Sequence, residues 1–204
     1  MKRLWISLSM ILTVLGCCQL RSLASDPDEV FGAAIAVWHL RSLDDAVGDN
    51  SSLTIHGTAS VGHRLGEVDF RQSMHRGGDG FAAKLNGGWF DAGQGADGEI
   101  ELKGDRFTAL IRLKCDSPNL WSTRGFFTRG GGHDQLVFNF FSHDFDLGPD
   151  GMRVGCEIGI EGRTGLGGQV TVPVAQIGPT DWHDLLARYD GRELVLFIDG
   201  VAVH

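Results

Sequence analysis

The chain has 204 residues, enough for one full domain but hardly two. A hydrophobic share of 42% with 22% charged residues excludes both a disordered chain and a membrane bundle. The net charge of −8 leaves no basic surplus to displace counterions from phosphates or to grip anionic lipid, which argues against nucleic acid as a partner.

Lys2 and Arg3 precede the apolar run Leu4–Gly16. That run is shorter than the ~20 residues a helix needs to cross a bilayer, so no transmembrane span is expected. A charged start, a short apolar stretch and small residues after it describe a secretory leader. Ser22-Leu23-Ala24 places cleavage after Ala24, giving a leader over residues 1–24. A rival is Val14-Leu15-Gly16-Cys17, which resembles a bacterial lipobox and would make Cys17 a lipid anchor. Either way the destination is outside the cytoplasm: secreted, periplasmic or at the cell surface. Residues 1–24 carry Lys2, Arg3 and Arg21 and no acid, so their removal takes the charge from −8 to −11.

Residues 25–32 read as a polar lead-in. Beyond them the chain is a series of short apolar runs bounded by Gly, Asp or Asn. Ala33–Leu40 and Leu53–His56 predict strands. Ala82–Leu85 and Trp89–Ala92 flank Asn86-Gly87-Gly88, a pattern that predicts a hairpin. From Phe107 to Cys115, the residues Phe107, Ala109, Ile111, Leu113 and Cys115 share one face, opposite Thr108, Arg112 and Lys114. Gln135–Ser142 is apolar on both faces. Over Val154–Glu161, apolar Val154, Cys156, Ile158 and Ile160 alternate with Gly155, Glu157, Gly159 and Glu161, the period of a half-buried antiparallel strand. Two Asp-Gly pairs, Asp190-Gly191 and Asp199-Gly200, separate Asp184–Tyr189, Glu193–Ile198 and Val201–His204 into a three-stranded meander.

No segment keeps a helical period over three turns. The pattern predicts an all-β fold, a jelly-roll sandwich of two antiparallel sheets. The thirty glycines, about twice the usual share, mark its turns. The last predicted strand is only four residues long, which leaves an open edge. Residues 33–204 therefore read as one domain lacking its C-terminal strands. Cys115 and Cys156 both fall on apolar phases; after export they either form a disulfide or remain two buried thiols.

Three stretches carry a resemblance. They are Ala36-Val37-Trp38-His39-Leu40 with Asp45-Ala46-Val47-Gly48-Asp49-Asn50 and Leu53-Thr54; Gly78-Asp79-Gly80-Phe81 through Trp89; and Trp182-His183-Asp184 through Asp199-Gly200. Together they resemble laminin-G-like (concanavalin A-like) jelly-roll modules of secreted bacterial proteins, over nearly all of residues 33–204. The wording of Gly93–Glu99 and Ile177–Asp184 is similar to the module that precedes the propeller of some levanase-like members of glycoside hydrolase family 32. The resemblance implies a non-catalytic carbohydrate-binding module, the accessory domain of a fructan-type hydrolase whose catalytic part is not in this chain. Two alternatives accompany it. One is a glycoside hydrolase, levanase-like or a jelly-roll glucanase. The other is a cell-surface module that binds protein.

The resemblance further implies calcium as a candidate cofactor at Asp45, Asp49 and Asn50, with an ordinary Asp/Asn turn as the plain alternative. Polysaccharide or oligosaccharide is the implied partner. For sugar contact, Trp121 sits in a polar loop, His133 and Asp134 end a Gly-rich loop, and Asn139 and His143 could join the same rim. Trp38 and Trp182 read as core, while Trp89 stays open between core and surface. His39 and His183, each beside a Trp, read as structural hydrogen-bonding groups. Glu67-Val68-Asp69-Phe70-Arg71-Gln72 comes near a glucanase pattern, but Gln72 stands where an acid must be, so no catalytic residue is assigned.

Overall fold

Period-two alternation puts apolar side chains on one face of each segment, and those faces can be buried only against one another. A computed structural model of the chain describes residues 4–6, 10–13, 34–38, 40–44, 52–67, 80–85, 88–91, 106–115, 124–129, 137–144, 151–159, 167–178 and 180–203. Their strands are β1 (Leu4–Ile6), β2 (Met10–Thr13), β3 (Ala34–Trp38), β4 (Thr54–His56), β5 (Ser60–Arg64), β6 (Phe81–Lys84), β7 (Trp89–Asp91), β8 (Phe107–Cys115), β9 (Arg124–Arg129), β10 (Val137–Asp144), β11 (Met152–Gly159), β12 (Gly167–Pro173), β13 (His183–Tyr189), β14 (Leu194–Ile198) and β15 (Val201–Val203).

A nine-stranded sheet runs β15-β14-β13-β8-β1-β6-β5, with β2 also on β8 and β3 on β2. A four-stranded sheet runs β12-β11-β10-β9, and β4 and β7 form a separate ribbon. Their pairings are antiparallel throughout. The all-β sandwich class predicted from alternation is what the chain adopts.

The core lies between the two larger sheets. One wall is Phe107, Ala109, Ile111, Leu113 and Cys115 of β8 with Leu185, Ala187, Leu196 and Ile198 of the meander. The other is Phe138 and Phe140 of β10 with Val154, Cys156 and Ile158 of β11. Phe138 is fully buried at the centre. Its ring meets Phe107 at 4.9 Å and 67°, and Phe140 at 4.9 Å and 82°. Both are edge-to-face arrangements, in which the positive rim of one ring meets the negative face of the other.

The C-terminal meander forms as predicted. Asp199 and Gly200 have φ of 52° and 82°. Two successive positive φ values make the type I′ turn that suits the twist of a hairpin, and glycine takes the second without steric cost. The first link is longer than a two-residue turn. Tyr189 pairs with Leu194, and the Asp190 carboxylate accepts hydrogen bonds from the N–H groups of Glu193 and Arg192 at 2.9 Å each. Those two bonds hold its carboxyl below the usual carboxylate range.

Several expectations are corrected. Ala82–Leu85 and Trp89–Ala92 do not form a hairpin: β6 pairs with β5 and β1, while β7 pairs with β4. At Gly88 a Cβ would lie 2.3 Å from both the Ala59 nitrogen and the His56 oxygen, so the chain here packs backbone to backbone against the turn after β4. Strands β5, β9 and β12 add to the predicted set. Apart from these corrections, the unprocessed chain forms β1 and β2 within the run Leu4–Gly16, and both pair with β8 among others. Arg112, on the face of β8 opposite its main apolar row, is only 4% exposed. It is cross-strand from Asp184, and its Nε and Nη2 donate to the two carboxylate oxygens at 2.6 and 3.1 Å. A two-pronged, charge-assisted pair of this kind compensates the desolvation of the guanidinium.

His183 is the structural group expected of it. It is 3% exposed, with Nδ1 2.8 Å from Asp199 Oδ2 and Nε2 2.8 Å from the Gly178 carbonyl. Two acceptors facing the two ring nitrogens require two N–H donors, hence an imidazolium. Asp199 Oδ1 accepts from the Asp184 N–H at 3.0 Å, so one carboxylate ties the closing turn to the start of β13. Burial by itself lowers the pKa of His183. The hydrogen bonds to Asp199 and Gly178, with the charges of Asp199 and Asp181, outweigh it and raise the value above 6.5.

Two outcomes follow. The folded state holds a proton that the unfolded chain releases, so this contribution is complete below the unfolded pKa of 6.5 and disappears as pH rises through the higher folded value. Melting temperature should fall as pH is raised from about 6 to about 8, with a shallower slope in Asp199→Asn. Phe138→Ala should cost about 3–5 kcal/mol in urea unfolding, because it empties the middle of the core.

Candidate functional site

Core packing of one face of the four-stranded sheet determines what the other face carries. Phe138 and Phe140 point inward, so Asn139, Phe141 and His143 take the opposite face of β10. On β11 that face holds Arg153, Gly155, Glu157 and Gly159, and on β12 it holds Gln169, Thr171 and Pro173. The register aligns these residues in rows across the strands. Asn139 stands opposite Thr128 on one side and Glu157 on the other, and Glu157 stands opposite Gln169. The next row is Gly125, Phe141, Gly155 and Thr171; the one after it is His143, Arg153 and Pro173.

Neighbouring side chains are tied across the strands. Asn139 Nδ2 donates to Glu157 Oε1 at 3.0 Å. Arg153 Nε donates to Thr171 Oγ1 at 2.8 Å, and its Nη2 to the Thr171 carbonyl at 3.1 Å. The groups are therefore held in place rather than sampling many rotamers. Gln169 is exposed, whereas Asn139, Glu157, Arg153 and Thr171 are half-buried. In the middle of the face Phe141 is only 6% exposed, and Gly155 is buried against the Val170 carbonyl and the Thr171 side chain, with no room for a Cβ. A surface bearing an amide, a carboxylate, a second amide and a guanidinium suits a ligand rich in hydroxyls, each of which both donates and accepts.

Of the residues singled out for sugar contact, the fold brings Asn139 and His143 onto this one face. Trp121, His133 and Asp134 lie outside the described residues, as do Asp45, Asp49 and Asn50 of the calcium expectation. Among the described residues, no three His, Cys, Asp or Glu side chains gather as a metal site would require. Glu67 is exposed just beyond β5, and Asp69 and Gln72 lie outside the described residues. Trp182 is core at 3% exposure; Trp89, left open by the sequence, is 58% exposed.

Glu157, Gln169, Arg153 and Thr171 were missed. The alternation over Val154–Glu161 had already put Glu157 on the polar phase, and that signal was sufficient to find it. Gln169 and Thr171 sit on β12, whose Gly167-Gly168 start reads as a loop. No protein-family model matches this chain, and no curated protein or solved structure matches it significantly.

Cys115 and Cys156 stand in the core as thiols, not as a disulfide. They belong to opposite walls of the sandwich, and each fills apolar volume there. Burial, with a smaller push from the negative charge of Glu157, raises the Cys156 thiol to about 12. At about pH 8 only ~1 in 10,000 molecules then carries the thiolate. Iodoacetamide should label native Cys156 far more slowly than the same residue in urea, read by mass spectrometry of its peptide.

Proposed function

We propose that this chain is an exported, non-catalytic carbohydrate-binding module, and that the outward face of the four-stranded sheet is where it meets its sugar. The observation that carries the reading is the cross-strand row of Asn139, Glu157 and Gln169, with Asn139 bonded to Glu157 at 3.0 Å. Side-chain amides and carboxylates set about 4.8 Å apart by neighbouring strands can each meet a different hydroxyl of a bound sugar chain. The laminin-G-like resemblance of residues 33–204 supports the same reading and directs attention to fructans. The partner is a polysaccharide or oligosaccharide, and the setting is the cell surface or the medium. Calcium at Asp45, Asp49 and Asn50 belongs to the proposal as a support for the neighbouring loop. Among the described residues no helix is long and apolar enough to cross a membrane.

The chain should be retarded in native gels containing levan, inulin or a soluble β-glucan. Asn139→Ala and Glu157→Ala should each weaken that retardation by about tenfold with little change in melting temperature. Equal mobility in every gel, together with no signal on a glycan array, defeats the proposal. Release of reducing sugar by the purified chain would move it to the hydrolase alternative.

A further inference from the structure

The β4–β7 ribbon carries a second surface, built differently from the first. Its register pairs Thr54 with Asp91, Ile55 with Phe90 and His56 with Trp89. Residues directly opposite share a face, as do residues two apart on a strand. Thr54, His56, Trp89 and Asp91 therefore lie on one side, and Ile55 and Phe90 on the other. Phe90 packs against the small apolar cluster of Leu40, Leu53 and Ala83, which turns its side inward at that point, while Ile55 beside it is 39% exposed. The side bearing Trp89 is outer.

Trp89 is the one aromatic residue among the exposed large hydrophobics of the described chain, at 58%. Its indole lies parallel to the His56 imidazole, with centroids 4.9 Å apart and an interplanar angle of 8°. The imidazole covers one face of the indole and fixes its orientation, so the exposure belongs to the opposite face. Asp91, 57% exposed in its side chain, sits beyond them with its carboxylate 3.9 Å from His56 Nε2. Beneath, Gly88 lets β7 lie directly on the Thr58–Ala59 turn. The platform is thus flat, backed, and edged by an acceptor.

We propose that this platform is a separate binding site for a neutral pyranose, with the apolar C–H face of the sugar on the open side of Trp89 and its hydroxyls donating to Asp91. The site shares with the reading above only the class of ligand; its surface and its residues are its own. The carboxylate and the overall charge of −8 disfavour uronates, sulfated sugars and nucleotides. A single indole edged by one acid is far smaller than the ~1,000 Å² a protein interface needs. A quaternary ammonium would want further aromatic walls around it, and the ribbon supplies only Trp89 and its backing imidazole.

The full chain is titrated calorimetrically with cellohexaose, xylohexaose and mannohexaose, and with polygalacturonate and tetramethylammonium as the acidic and cationic probes. Binding of at least one neutral hexasaccharide is expected. Trp89→Ala should weaken it by about tenfold or more, while Trp89→Phe retains most of it, because a smaller ring still stacks. Trp89 is exposed, so its removal should leave the melting temperature unchanged and keep a folding defect separable. Loss in Trp89→Ala with Asn139→Ala unaffected supports this site and counts against the sheet face. Loss in Asn139→Ala with Trp89→Ala unaffected overturns this site alone. Binding of tetramethylammonium or polygalacturonate in place of the neutral sugars, or of none of the probes, also overturns it.

Discussion

The structure depends on the meeting of two apolar sheet faces at Phe138. That ring touches Phe107 across the sandwich and Phe140 and Phe127 on its own side. Edge-to-face contacts of this kind require particular ring angles, and the angles set how the four-stranded sheet sits on the nine-stranded one. Each strand that contributes to this core is thereby committed to one face. A slip of a single residue in β10 would turn Phe138 and Phe140 outward and bring Asn139 into the core. The same commitment puts Asn139, Glu157 and Gln169 in a row, so the outer surface follows from the inner packing.

A second constraint closes the nine-stranded sheet at its C-terminal side. Asp199 ties the last turn to His183 and to the backbone of Asp184, while the carboxylate of Asp184 takes the buried guanidinium of Arg112. Three charged side chains and one imidazolium thus link β8, β13 and the turn after β14. None of them needs to face a ligand. Their role is to let a charged cross-strand pair sit beside an apolar core without an uncompensated charge.

Strands whose two faces differ sharply were legible in the sequence. The face assignment of β8 holds for Phe107, Ala109, Ile111, Leu113 and Cys115, and β11 and the meander were equally clear. The limits of that reading are physical. β5 has one apolar residue, Val61, among polar ones, and the Gly167-Gly168 start of β12 masks the alternation of Gln169, Val170, Thr171 and Val172 that follows it. The pairing of β7 with β4 rather than β6 is a long-range choice, and the glycines between β6 and β7 suggested the shorter route. Arg112 is buried because a carboxylate lies opposite it on another strand, which periodicity within β8 does not reveal. For the candidate site, Asn139 and His143 were found by residue type. Glu157 was visible by phase, and Gln169 and Thr171 needed the register. Trp89 could be read either way until the inner position of Phe90 settled which side of the ribbon faces water.

Gly88 gives the ribbon an uneven tolerance to change. At that position even a methyl group would collide with the backbone of His56, Thr58 and Ala59. One residue further on, Trp89 projects into solvent and contributes little to the core. The platform therefore joins an invariant footing to a replaceable top. For protein engineering, position 89 is a place where an aromatic, amide or charged side chain can be exchanged without refolding the domain. For evolution, it is a place where ligand preference can drift by single steps while the scaffold stays as it is.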